Sequence, residues 1–350
     1  MQDGLKRKIE QQRKIRLLGV FISALILVVV IATMRMGAMD ISISTILKIF
    51  VGKLTGKSEM LEGIKASQVA VVWEIRLPRI LCGLFVGAGL AVAGVIFQSL
   101  LRNPLADPYT LGVSTGAAFG ASLAILLNIT SGLFYSTTLF AFIFAFLTLI
   151  SVILIAQKGG GLLSSNLIIS GIIVGSILSS AISFIKMLAG ESVSAIVFWI
   201  MGSLASRQWQ NVFTLVPIVT ICTLIAWLFA DDLNIMVLGD DAAKTLGVNT
   251  ERTRFIFLVL GSCITAACVA VSGVIGFIGL IVPHMLRFRL TADNRMLIPL
   301  SALTGALMLS LADNATRLLS ASEIPVGVLT TLLGGPFFIY IFLKRRRHTE

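Results

Sequence analysis

The sequence predicts an all-α, polytopic membrane protein: a bundle of about ten transmembrane helices forming a single domain. Two observations carry that prediction. Of 350 residues only 13% are charged and 57% are hydrophobic, with a mean hydropathy of +0.97. A water-soluble domain carries about 25% charged residues because its surface must be solvated. In addition, the runs 17–33, 80–101, 133–156, 167–184, 212–230 and 255–271 are apolar on every side, and about 20 such residues cross a bilayer as helix. They lack the alternation of barrel strands, and a helix satisfies its own backbone polar groups in lipid.

The elements follow in order. Residues 1–16 form a basic N-terminus with Lys6, Arg7, Lys8, Arg13, Lys14 and Arg16. Residues 17–342 form the transmembrane domain, and 343–350 form a tail with Lys344, Arg345, Arg346 and Arg347. Positive charge collects on cytoplasmic flanks, so both termini are expected inside and the number of crossings even. The net charge of +11 is explained in the same way, by lipid and topology, and does not point to nucleic acid. The first run is followed by Arg35 without a small-residue cleavage site, which reads as an anchor and not a cleaved signal. Alternation then places Arg102, Lys158, 231–254 and 287–295 inside, and 38–79, Thr130, 190–210 and 317–323 outside. The outer stretch 38–79 holds Lys48, Lys53, Lys57 and Lys65, but long loops obey the charge rule poorly.

Glycines at four-residue spacing (Gly83 and Gly87; Gly112, Gly116 and Gly120; Gly171 and Gly175) predict close helix packing. The apolar pieces 196–204 and 274–282, the second ending at Pro283, are about half a span long, as in the broken helices that line transporter pathways. Residues 91–96 echo 270–275, which suggests a duplicated half. Cys82, Cys222, Cys263 and Cys268 all lie in apolar runs, and the histidines are His284 and His348. No disulfide framework, metal site or cofactor is expected.

Gly52-Lys53-Leu54-Thr55-Gly56-Lys57-Ser58 imitates a phosphate-binding loop but has three residues between its glycines where the motif needs four. ATP binding is therefore expected on another subunit. No acid, base or nucleophile constellation can be assembled, and the ionisable residues Lys186 and Asp313 sit near predicted span ends. The chain is thus expected to perform no chemistry. The informative polar residues lie at span edges. Arg76-Leu77-Pro78-Arg79 opens the second span outside, with Arg317 at the outer end of a later one. Inside, Gln98 to Pro108 makes a sharp polar turn. Residues 238–248 form a short amphipathic helix, with Asp240 and Asp241 suiting its N-terminal dipole and Gly247 its C-terminal cap. That helix is either a connector or a knob for a cytoplasmic partner.

Together these blocks resemble the permease family of iron-siderophore, haem and cobalamin ABC importers. The matching pieces are Arg76 to Arg79, Gly87 to Gly120, Trp199 with Gly202-Ser203-Leu204, and Leu238 to Val248. Further on they are Gly276 to His284 with Arg287, and Pro325 to Phe338. The stretch from Arg317 to Glu323 is a residue shorter than is usual in the family. The resemblance implies a type II importer architecture: ten spans, a second permease subunit (identical or related), two cytoplasmic ATP-binding subunits and an extracellular binding protein. It assigns binding-protein docking to Arg76, Arg79 and Arg317. ATPase coupling falls to Leu238, Gly239, Asp240, Asp241, Ala242, Ala243, Leu246 and Gly247, and the cytoplasmic gate to Ser164 and Ser165. The expected cargo is an iron-siderophore, with cobalamin and haem behind it. The alternative is a secondary transporter or channel working alone.

Overall fold

The computed structural model describes residues 2–37, 39–319 and 324–346, with side chains described between 10 and 339 except at 38, 58 and 320–323. The side chains of Lys6, Arg7, Lys8, Lys344, Arg345 and Arg346 fall outside the described set. Arg347 and Ser320 to Glu323 lie outside the described residues altogether. Helices dominate: α1 (Gln2–Arg35), α2 (Ile43–Thr55), α3 (Ala66–Ala70), α4 (Leu77–Leu100), α5 (Val113–Ser131), α6 (Thr137–Lys158), α7 (Ser164–Ala189), α8 (Val193–Ile200), α9 (Trp209–Leu228), α10 (Ala230–Val237), α11 (Asp240–Thr245), α12 (Thr250–Ser272), α13 (Ile278–Arg289), α14 (Asn294–Leu319) and α15 (Val326–Arg346). Local chemistry sets several starts: the side chains of Ser42, Ser136 and Asn249 accept backbone N–H groups at the N-termini of α2, α6 and α12, as N-caps do.

Among the described residues eight helical segments are long and apolar enough to cross a membrane. Helix α15 contributes a shorter apolar stretch, Val326–Ile339, and α13 is a half-length helix preceded by non-helical backbone over 273–277. Against an expectation of about ten crossings, the described residues give eight full-length candidates, with a shorter apolar stretch in α15 and the half-length α13 beside them. Pro283 does not end the broken span; α13 continues through it to Arg289. The cost is a carbonyl, because proline has no N–H to give Gly279. Helix α4 covers that place: a Cβ added to Gly94 would lie 1.8 Å from the Gly279 oxygen, so a Cα hydrogen of Gly94 faces it instead.

Helices α4 and α12 are the spine, with 78% of their most apolar windows buried, against 28% for α7 and α9 and 22% for α1. Helix α4 packs on α14, α12, α13 and α9, and Phe97 and Phe257 fill the centre. Glycine closeness is as the spacing predicts. Gly87 meets Gly305 across α4 and α14, and Gly116 and Gly120 lie against Thr148 and Phe140 of α6. Gly175 is the exception: a Cβ added there would meet nothing closer than 3.9 Å.

Two expectations change. The second span does not open at Arg76; its helix runs from Ala66 to Leu100, through a π-helical stretch Val71–Arg76. Wider turns of this kind accommodate a missing donor, and Pro78 supplies one. The echo between 91–96 and 270–275 does not mark equivalent places either. Gly94 lies inside α4, whereas Gly273 (φ +71) terminates α12.

The predicted loops gather at two opposite ends. At one, the Nε2 of Gln11 donates to Leu290 O, the Nε1 of Trp227 donates to Arg295 O, and Arg295 pairs with Asp231. At the other, the Nε1 of Trp209 donates to Trp73 O and Arg207 donates to Val271 O. These groupings match the alternation read from the sequence.

Candidate functional site

The end expected to lie inside carries a knob. After α10 the chain turns at Gly239, whose φ of +115° is a conformation glycine adopts readily and other residues do not. Helix α11 then runs for six residues, shorter than the expected 238–248. It ends with Gly247 N–H donating to Lys244 O and Val248 N–H to Ala243 O, both at 3.0 Å. Gly247 sits at φ +85°. This is a Schellman motif, so the expected glycine cap is present.

The base of the knob is fixed and its crown is exposed. Ala243 is fully buried. Asp240 accepts a 2.7 Å bond from the Nη2 of Arg254, whose side chain is only 4% exposed. Leu238 and Leu246 are 66% and 59% exposed, and Asp241, Ala242, Lys244 and Gly247 are exposed with them.

The knob is also wired to the spans. Asn234 of α10 donates from Nδ2 to the Asp293 carboxylate and accepts from Asn294 N–H, both at 2.8 Å. These bonds tie α10 to the start of α14, and the Asp240–Arg254 pair ties α11 to α12. Burial pushes the Asp293 carboxyl up, but the Asn234 amide, the Arg295 N–H and the Arg295 guanidinium outweigh it and hold the group below its ordinary value.

At the opposite end, expected to lie outside, the three sequence-predicted arginines come together, all engaged by the chain itself. Arg76 is 5% exposed; it donates to Met34 O and, at 2.6 Å, to Met39 O. Arg317 donates to Met36 O at 2.7 Å. The two guanidiniums thus hold the turn between α1 and α2 together, both beside Gly37. Arg79 pairs with Asp313 at 3.0 Å, with both side chains nearly buried. Asp313 is thereby the internal partner of an outer arginine.

Ser164 and Ser165 open α7 at the same end as the knob, with Ser165 exposed and the Ser164 hydroxyl buried without a hydrogen-bond partner among the described residues. Along the same helix Ser176, Ser179, Ser180 and Ser183 are also exposed. Their hydroxyls include three that bond the carbonyl four residues back. Among the described residues, no group of three or more His, Cys, Asp or Glu is placed to hold a metal ion.

The sequence reading missed Arg254 and Asn234. Arg254 is 14 residues from Asp240, beyond any local helical spacing, and a polar residue on a connector carries no signal of its partner.

A bundle of apolar helices with one broken span and a rigid knob at one end is the architecture of a membrane permease of the ATP-binding-cassette import type. The comparisons give the family: its sequence profile matches residues 25–344, and the chain belongs to the FecCD transport family. A cobalamin import permease of Halobacterium salinarum is 39% identical over 283 residues, covering 81% of this chain and 76% of that one. A hemin transport permease of Yersinia pestis is 36% identical over 337 residues, 95% and 96% of the two chains. A molybdate import permease of Haemophilus influenzae is 37% identical over 330 residues, 93% and 95%. A solved structure described as a metal-chelate type ABC transporter, in an inward-facing conformation, superposes with a TM-score of 0.81 at 32% identity, over 93% and 99% of the chains.

Proposed function

We propose that this chain, paired with an identical or related permease, carries an iron chelate of the siderophore class across the cytoplasmic membrane. Both termini lie in the cytoplasm, and two separate ATPase subunits drive the movement. The observation that carries this reading is the knob: α11 is anchored by Ala243 and by the Asp240–Arg254 pair, and it presents Leu238, Asp241, Ala242 and Leu246 outward. Such a surface suits a groove on a soluble partner, and Asn234 and Arg254 transmit its displacement to α14 and α12. Gly239 and Gly247 give it the sharp turns at either side.

At the other end, a binding protein delivers the cargo. Arg76, Arg79 and Arg317 form the basic centre of that face, and acidic side chains of the binding protein compete there for guanidiniums now bonded to Met34, Met36, Met39 and Asp313. Opposite charges speed such encounters. Ser164 and Ser165 form the inner gate, at the foot of the serine-bearing face of α7. Hydroxyls already bonded to their own helix bind a passing chelate weakly, which suits release, since conduction needs exit as well as entry.

The relatives are named for haem, ferric citrate, cobalamin and molybdate, so cargo is tested directly. Uptake of a labelled ferric siderophore into proteoliposomes holding the full importer should exceed that of haem, cobalamin and molybdate. Preference for any of the other three would replace the siderophore assignment and leave the importer reading intact.

A further inference from the structure

Beside the knob, between the end of α4 and α13, lies a cavity of about 500 Å³ that none of the foregoing uses. It is lined by Gln98, Ser99, Arg102, His284, Arg287 and Phe288, among others. None of the lining residues is acidic. The nearby carboxylates are committed elsewhere, Asp240 to Arg254 and Asp293 to Asn234 and Arg295. Among the described residues, neither Arg102 nor Arg287 has a carboxylate partner. Arg287 donates from Nη2 to the Ser99 hydroxyl at 2.9 Å, and that hydroxyl donates on to Asn294. The Nε of Arg287 is buried and meets no acceptor among the described residues.

A second orphan belongs to the same lining. Gln98 is 3% exposed, and its Nε2 donates to Leu280 O at 3.1 Å. That bond fixes which end of the amide is oxygen, and Oε1 is buried without a donor among the described residues. Buried polar atoms are rarely left unpaired. The cavity therefore offers guanidinium donors and one acceptor, and a ligand that satisfies both is an anion that also carries a hydroxyl. Arginine forks suit phosphate oxygens in particular.

We propose that this cavity binds a hydroxyl-bearing phosphate, with Arg102 and Arg287 on the charged oxygens and Gln98 Oε1 on the hydroxyl. Two sources share that chemistry: free hydrogen phosphate, and the headgroup of a glycerol-type anionic phospholipid. Phe288, 72% exposed at the rim, lies where an acyl chain would run, and basic pockets between spans hold such headgroups. The site depends on nothing assumed about cargo or ATPase.

The test is thermal unfolding of the purified chain, first in detergent with inorganic phosphate or sulfate, then in nanodiscs of phosphatidylcholine with or without phosphatidylglycerol. Free phosphate as the source predicts saturable stabilisation in detergent, stronger than that by sulfate, which has no hydroxyl at neutral pH. The lipid source predicts no phosphate effect but a higher Tm in the phosphatidylglycerol discs. In either case Arg287→Gln and Arg102→Gln should each weaken the effect about tenfold, as loss of one charge-assisted bond does. Gln98→Met should abolish the preference for phosphate over sulfate, or lower the phosphatidylglycerol effect. Arg102→Gln alters an exposed side chain and keeps the test valid if Arg287→Gln fails to fold, while Arg252→Gln, elsewhere on the inner end, should respond as wild type. Absence of both effects, or equal effects in wild type and the Arg102 and Arg287 variants, would overturn the proposal.

Discussion

Replacing Gly94 by alanine is the smallest change that should push α4 and α13 away from each other. The new Cβ would stand 1.8 Å from the Gly279 oxygen, 2.7 Å from its carbonyl carbon and 3.0 Å from its Cα, where ordinary contact begins at 3.4 Å. All three atoms are backbone, so no side chain can rotate away, and the two helices must separate. Overpacking of this kind costs about 1–3 kcal/mol. The variant also loses a Cα–H···O contact of about 0.5–1 kcal/mol to the carbonyl that Pro283 leaves without its donor. Against this, alanine gains about 1 kcal/mol over glycine inside a helix. The balance is a loss of about 0.5–3 kcal/mol, read as a fall of up to several degrees in the Tm of the purified chain. Gly19→Ala is the control: nothing lies within 4 Å of its Cβ, so propensity alone acts and the Tm should hold or rise. If Gly94→Ala melts with Gly19→Ala, the close approach of α4 and α13 is wrong.

Three further outcomes follow from the inner end. Asp240→Asn leaves the buried Arg254 without its carboxylate and should cost about 3 kcal/mol, the low end for breaking a buried pair because Asp240 is itself 23% exposed; denaturant titration measures it. Asn234→Ala removes two bonds between α10 and the start of α14 and should cost about 1–3 kcal/mol, with ATP hydrolysis by the assembled importer retained while uptake falls. The lowered pKa of Asp293 sets a pH sign. Its contribution to stability is full above the ordinary carboxylate pKa of about 4 and fades as pH falls through the lower folded value. The Tm gap between wild type and Asp293→Asn should therefore close on acidification and not on going alkaline.

What was legible in the sequence was whatever depends on composition and local chemistry. The spans, the glycines Gly116 and Gly120 of α5 and the glycine cap after α11 could all be read because each follows from residues within a turn or two. The start of the second span could not. Proline after an arginine reads as a helix opening, and only the π-helical turn before it shows that the helix began ten residues earlier. Pro283 misled in the same way, since the carbonyl it frees is covered by Gly94, 189 positions away in the chain. The arginines were recognised as edge residues, but their partners (backbone oxygens of Met34, Met36 and Met39) are set by tertiary contact and leave no trace in residue type. The cavity beside α13 joins two motifs that the sequence showed separately, around Gln98 and around Arg287, with no sign that they face each other.

The central claim is that separate ATPases move this bundle through α11. Its most direct test is uptake into proteoliposomes containing the permease, its ATPase and its binding protein, comparing wild type with Leu246→Asp. Leu246 is 59% exposed, so the variant should fold and melt as wild type. The account predicts uptake that requires ATP in the wild type, and loss of uptake in the variant because its knob no longer seats on the ATPase. Uptake down a gradient without ATP, or an unimpaired variant, would contradict it.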